Sequence, residues 1–153
     1  MIRRPVCKGA FMKDFTQQIM AMQSRVHKQL MRSLEGSGLS TGQPKILAYL
    51  KSHEGRCQKE IAQACQLEPG SLTVLLKRME RQGLIERRCL DNDRKTRYIY
   101  LTGEGRRLAA LVVERFYAVE QLALSGISPE EEVLFARLCT QILQNLRTED
   151  EPE

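Results

Sequence analysis

The 153-residue chain has no tryptophan, its aromatic residues amount to only 5%, and it holds just two histidines, His27 and His53. Any apolar pocket it forms must therefore be walled mostly by aliphatic and methionine side chains. Its five cysteines (Cys7, Cys57, Cys65, Cys89, Cys139) include no C-x-x-C pair. A zinc site would need ligands scattered along the chain, so no metal is expected. An odd cysteine count in a chain large enough to fold without cross-links points to reduced thiols. Cys65 and Cys139 fall on apolar helical faces and read as small core residues. Long apolar runs are missing as well. The longest, Leu108 to Val113, is far short of the roughly 18 residues of a membrane span. The basic Met1–Lys8 stretch is not followed by the ~7–15 apolar residues of a secretory signal, and the expected location is the cytoplasm. There is no phosphate-binding glycine loop. His53 and Cys57 are separated by the helix-breaking Gly55, and Glu130-Glu131-Glu132 reads as charge at a helix amino end, so neither an enzyme nor a cofactor is expected.

What the chain does have is enough length for one compact unit, with 42% apolar residues to build a core, and a net charge of +5. That charge is segregated. Residues 1–42 carry seven Lys/Arg against two acids, residues 43–102 twelve against seven, and residues 103–153 five against ten. A basic first two-thirds points to a polyanion partner, and the acidic last third to a different task.

Hydrophobic spacing lays out the elements. Phe15, Ile19, Met22, Val26, Leu30 and Leu34 recur at steps of three and four, predicting an amphipathic helix from Phe11 to Leu34 that stops at Glu35-Gly36-Ser37-Gly38. Ser40 with Gln43 fits a capping box, with Pro44 in the first turn, and Ile46, Leu47 and Leu50 point inward. After Gly55, Gln58 to Gln66 reads as a short helix burying Ile61, Ala62 and Cys65. Pro69 opens a third helix that runs to about Gln82 and stops at Gly83. The period then becomes two: Ile85, Arg87 and Cys89 alternate with Glu86 and Arg88, Asp91-Asn92-Asp93 is turn chemistry, and Tyr98-Ile99-Tyr100-Leu101 favours strand. Thr102 caps a long helix carrying Leu108, Val112, Phe116, Val119 and Leu122, which ends at Gly126. Ser128-Pro129-Glu130-Glu131 opens the last helix, with Leu134, Leu138, Ile142 and Leu146 inward. The fold class is mainly α with a small β-hairpin wing: a winged helix-turn-helix whose terminal helices carry surplus apolar surface for a second copy of the chain.

At 100° per residue, Leu72, Leu75, Leu76 and Met79 of the third helix cluster on one side, with Gly70, Val74, Lys77 and Arg81 opposite, flanked by Thr73 and Arg78. Small residues near the amino end and cations towards the carboxyl end suit a helix laid in a major groove. Thr73 can reach a base edge or a phosphate, and Lys77, Arg78 and Arg81 phosphates or guanine acceptors. The same cations also solvate a surface and favour a helix carboxyl end. The hairpin strengthens the nucleic-acid reading: Arg87, Arg88, Arg94, Lys95 and Arg97 put five cations into eleven residues. Cations at a hairpin tip are drawn to the negative potential of a minor groove, with Asp93 orienting them.

Several segments, taken in order, resemble the MarR family of bacterial transcription regulators: Gln58-Lys59-Glu60-Ile61-Ala62, Leu67-Glu68-Pro69-Gly70-Ser71-Leu72-Thr73, Met79 to Arg87, Asp93-Arg94-Lys95 and Leu101-Thr102-Gly103-Glu104-Gly105. The resemblance spans nearly the whole chain. It implies a single domain over 1–153, with dimerisation helices at 10–36 and 103–148 and a winged DNA-binding lobe at 42–102. Operator contacts are expected from Ser71, Thr73, Val74, Lys77, Arg78, Arg81, Arg94, Lys95 and Arg97 on double-stranded DNA. The family's wing motif is usually Asp-x-Arg. Here its third position is Lys95, which leaves open whether Arg94 or Lys95 enters the minor groove. The resemblance further implies a homodimer and a small effector, an apolar or aromatic anion. The effector pocket is expected at His27, Met31 and Tyr49, where the first helix, the 42–52 helix and the 103–125 helix meet. The alternatives are a redox sensor of the same fold and a winged-helix protein-interaction module. For the first, the thiol of the hydroperoxide-sensing branch is missing, its place falling near Thr16, and Cys7 and Cys89 are the remaining candidates. The second calls for an uncharged or acidic third helix and wing.

Overall fold

The computed structural model describes residues 15–90 and 93–146, and only the backbone of Leu90, Asp93 and Arg94. The elements run α1 (Phe15–Ser33), α2 (Gln43–Ser52), β1 (Arg56–Cys57), α3 (Gln58–Ala64), α4 (Pro69–Arg81), β2 (Ile85–Leu90), β3 (Asp93–Leu101), α5 (Gly103–Ala123) and α6 (Pro129–Asn145). The chain divides into two compact units, one up to Val119 and one from Glu120 on.

The first unit is built around a continuous apolar core. Leu30 and Leu34 contribute from α1 and its end, Ile46, Leu47 and Leu50 from α2, and Ile61 and Ala62 from α3 with Cys65 just after it. Leu72, Leu76 and Met79 come from α4, Ile85, Ile99 and Leu101 from the sheet, and Leu108, Ala109 and Val112 from α5. Each fully buried Leu, Ile or Met side chain contributes about 1.5–3 kcal/mol by leaving water. Helical spacing marks the α2, α3 and α4 members of this core in the sequence, and the period-two and β-rich runs mark Ile85, Ile99 and Leu101.

Local chemistry sets the helix ends. Gly83 closes α4 at φ +70°: its N–H donates to the Glu80 carbonyl and the Leu84 N–H to the Met79 carbonyl, pairing two carbonyls the helix would otherwise leave bare. Thr102 caps α5, its Oγ1 accepting from the Gly105 N–H at 3.0 Å. Ser128 and Glu131 form the expected reciprocal box at the start of α6.

The reading of Ser40 as the cap of α2 is corrected. The cap is Gly42 at φ +90°, a conformation that favours glycine. Only half of the box forms: the Gln43 side chain accepts from the Ser40 N–H at 2.8 Å, while the Gln43 N–H donates to the Ser40 carbonyl.

The hairpin is present and has a third strand that the sequence did not suggest. The antiparallel order is β1-β3-β2, with Arg56 opposite Ile99 and Cys57 opposite Tyr98. Two residues are too short to show a period, so β1 was invisible as a pattern. Ile85 pairs with Leu101 and Cys89 with Arg97, and the register shifts between Cys89 and Leu90 near the tip.

The last helix departs from the inward stripe expected of it, and the apolar face of α1 is open as well. Phe15, Ile19, Met22 and Val26 of α1 are exposed, and only Leu30 is buried. In the second unit, α6 has no buried residue: Leu134, Leu138 and Leu146 are exposed, Ile142 and Cys139 only partly covered. Amphipathic spacing identifies an apolar face but not what covers it, and among the described residues no other element of this unit buries that face.

Candidate nucleic-acid interface

Pro69 starts α4 in its first turn, where a missing N–H costs nothing, and the Leu72, Leu76 and Met79 side chains anchor the helix in the core at zero exposure. That anchoring fixes what faces outward. Ser71, Val74, Lys77, Arg78 and Arg81 are exposed, and Val74 keeps 66% of its surface in solvent. An aliphatic residue so exposed among cations suits contact with a base methyl in a groove. Arg78 and Arg81 lie in the last turn, where the helix dipole favours positive charge.

Thr73 lies partly covered beside this face, and its hydroxyl is engaged. Its Oγ1 donates to the Pro69 carbonyl at 2.8 Å and accepts from the Gln58 amide at 2.5 Å. Gln58, the first residue of α3, thus stands against the amino-terminal half of α4. Sequence reasoning passed over it because fifteen residues separate it from Thr73 and no periodicity links them. The start of α3 is held by Glu60, whose carboxylate accepts from the Cys57 N–H at 2.8 Å and pairs with Arg56 at 3.0 Å. The Cys57 hydrogen bond, helped by Arg56, holds the Glu60 carboxyl below its ordinary value.

The five hairpin cations do not all act at the tip. Arg87 is largely covered and pairs with Glu80 of α4 at 3.2 Å. Arg88 pairs with Glu86 and lies over the Tyr100 ring at 4.8 Å. Arg87 thus ties the hairpin to α4, while Arg88 braces the hairpin internally. Lys95 and Arg97 are exposed on β3. The side chains of Asp93 and Arg94 lie outside the described residues, as does Cys7. An open cavity of about 440 Å³ separates the start of α3 from the wing, with Gln58, Lys59, Arg87, Lys95 and Arg97 among its walls. Lys59, Arg87, Lys95 and Arg97 make its lining positive.

The residues expected to line the effector pocket are placed less coherently. His27 is exposed on α1, Met31 and Tyr49 are partly covered, and Tyr49 stacks on His53 with ring centroids 4.6 Å apart. Cys89 is exposed, Cys65 is buried, and burial pushes the Cys65 thiol up. Cys57 and Cys89 pair with neighbouring β3 residues, Tyr98 and Arg97, so they sit on opposite faces of the sheet and cannot bridge within one chain. Among the described residues no group of three or more His, Cys, Asp or Glu is placed to hold a metal, and no helix is long and apolar enough to cross a membrane.

Three short helices closed by a basic antiparallel hairpin define a winged helix-turn-helix protein of the DNA-binding type. Residues 39–96, from the approach to α2 through most of the wing, match the MarR family model. The chain is 27% identical over 139 residues to the HTH-type transcriptional repressor MdtR of Bacillus subtilis, an alignment covering 91% of this chain and 90% of that protein. It is 31% identical to the transcriptional regulator PA3341, whose crystal structure it matches with a TM-score of 0.77 over 86% of this chain and 98% of that one. It matches S. aureus MepR, in a structure with DNA, at 27% identity and a TM-score of 0.81, covering 87% of this chain and 98% of that one. The chain belongs to the MarR family, and the relatives it resembles are transcriptional regulators.

Proposed function

We propose that the protein is a homodimeric, sequence-specific repressor that binds a pseudo-palindromic operator and is released by a small apolar or aromatic anion. The observation that carries the DNA-binding part is the two-sidedness of α4: one face wholly buried on Leu72, Leu76 and Met79, the other presenting Val74, Lys77, Arg78 and Arg81, while the wing exposes Lys95 and Arg97. A protein-interaction module has no need of cations on both elements. MepR in complex with DNA supports the same use of this fold. The exposed apolar stripes of α1 and α6 support the dimer, and MdtR, named a repressor, supports the sign. In this reading Ser71, Thr73, Val74, Lys77, Arg78 and Arg81 enter a major groove, Arg94, Lys95 and Arg97 a minor groove or its phosphates, and Asp93 orients the wing cations.

The test is selection of bound sequences from random duplexes, followed by footprinting. The expected result is an inverted repeat with half-site centres about one helical turn, roughly 34–36 Å, apart. An asymmetric single site contradicts the symmetric dimer, and no enrichment contradicts sequence-specific binding. Adding salicylate as a probe to the operator complex is expected to release DNA through a pocket including His27, Met31 and Tyr49, whereas hydroperoxide leaves it bound. Release by peroxide that dithiothreitol reverses replaces the ligand with a cysteine.

A further inference from the structure

Among the described residues, Gln43 is the one polar side chain that is fully buried. An amide in an apolar core is costly unless its hydrogen bonds are made, and this one is engaged on both sides. Its Oε1 accepts from the Ser40 N–H at 2.8 Å and from the Ser40 hydroxyl at 3.1 Å, and its Nε2 donates to Gln82 Oε1 at 2.7 Å. Gln82 is the residue that caps the carboxyl end of α4, and its own Nε2 donates to the Gly38 carbonyl at 3.3 Å. The polarity is forced. A backbone N–H at Ser40 only donates and a carbonyl at Gly38 only accepts, so both amides are oriented one way round.

A second contact acts two turns earlier on the same helix. A Cβ on Gly42 would stand 2.8 Å from Leu75 Cδ1, so the Leu75 side chain lies close over that glycine. Leu75 and Gln82 are seven residues apart, which returns to nearly the same face of the helix about 10 Å further along. Both points bear on residues 38–43, the connection between α1 and α2. A helix held at one point pivots. Held at two points on one face, it can neither roll about its axis nor slide without breaking the amide pair or lifting Leu75.

We propose that Gln43 and Gln82 are positioning residues for DNA reading: their amide pair fixes the roll of α4 against the segment that follows α1, and so sets where Val74, Lys77 and Arg81 point. The inference rests on the DNA-reading role proposed for α4. Hydrophobic burial on Leu72, Leu76 and Met79 holds the helix in the core, but apolar packing is non-directional, whereas a pair of oriented amides specifies one arrangement.

The test uses the full-length protein with Gln82→Met, Gln82→Ala and Gln43→Met, measuring affinity for the selected operator, affinity for random duplex and thermal midpoint. Gln82 is exposed, so its variants fold even if Gln43→Met does not. The expected result for Gln82→Met is a tenfold or greater fall in the ratio of operator to random-DNA affinity, with random-DNA affinity within about twofold of wild type. If Gln43→Met folds, the double methionine variant is expected to lose little beyond the worse single one, because both break the same bond. A lower thermal midpoint with an unchanged ratio in the Gln82 variants overturns the proposal and leaves a structural brace. Equal loss on both DNAs overturns it too, since phosphate contacts alone would then have suffered. If the wild-type protein selects no sequence, the DNA-reading role of α4 fails first and the inference falls with it. Selectivity in wild type that survives in every variant overturns the inference alone.

Discussion

Gly105 stands directly against the Leu84 carbonyl: a Cβ built on it would lie 1.9 Å from the oxygen and 2.9 Å from the carbonyl carbon. The same oxygen accepts from the Thr102 N–H at 3.1 Å, and Thr102 Oγ1 donates to the adjoining Gly83 carbonyl. The first turn of α5 is thereby seated on the turn that ends α4 and begins the wing.

Gly105→Ala has no flexible neighbour to displace, because the atoms it meets are backbone. Overpacking of this kind costs about 1–3 kcal/mol. In a chain of this size that corresponds to a fall of roughly 3–10 °C in thermal midpoint, read by calorimetry. A midpoint within about 1 °C of wild type would show that α5 backs away freely and that the contact is not a constraint.

The glycine shows what the sequence makes legible and what it conceals. The run Leu101-Thr102-Gly103-Glu104-Gly105 is recognisable, and Thr102 is readable as a cap from local chemistry alone. That Gly105 serves close approach needs the position of Leu84, twenty-one residues earlier. The same division recurs elsewhere. The buried face of α4 follows from spacing, but the Gln43–Gln82 and Gln58–Thr73 bonds join residues whose separations carry no period. Hairpin cations can be counted in the sequence, yet only the fold shows Arg87 paired with Glu80 and Arg88 with Glu86.

Lys95→Ala and Arg97→Ala are each expected to weaken operator binding while the thermal midpoint stays near that of wild type, because exposed wing cations contribute little to folding. Arg94→Ala is expected to behave likewise. If the contacts are to phosphates, each loss lowers the magnitude of the salt slope by about one per monomer. Unchanged affinity in all three would remove the wing from the interface.

Lys77→Ala tests the reading face of α4. Loss of a base contact is expected to reduce discrimination between operator and random DNA by roughly 1–3 kcal/mol, whereas equal loss on both duplexes marks a phosphate contact. Thr73 calls for a pair of variants. Its hydroxyl proton is already given to the Pro69 carbonyl, so the methyl group is the part left to meet a base. Thr73→Ser is therefore expected to lose more discrimination than Thr73→Val, and the reverse order would return the role to the hydroxyl.

Light scattering is expected to give about 35 kDa, twice the 17.6 kDa of one chain. Leu138 is 48% exposed on α6, where no residue is buried, so Leu138→Glu is expected to fold and yet run as a monomer with weakened operator binding. A wild-type monomer that binds its operator tightly would contradict the dimer.

Glu60 supplies the pH dependence. Its carboxylate accepts the Cys57 N–H and pairs with Arg56, so the folded protein favours the ionised form and its folded pKa lies below that in the unfolded chain. The sign follows from linkage: the stabilisation is fully present above the unfolded value and is lost as pH falls through the depressed folded one. Urea midpoints measured from pH 7 down to pH 3 are expected to show wild type above Glu60→Gln at neutral pH, with the gap closing through the carboxylate range. The group is exposed, so the gap is small, and added salt should shrink only the Arg56 share. The hydrogen bond to the Cys57 N–H should persist in salt. Because α3 begins at Gln58, which reaches Thr73, the same variant is expected to weaken operator binding at neutral pH. A constant gap across the whole pH range would show that the Glu60 charge does not hold the start of α3.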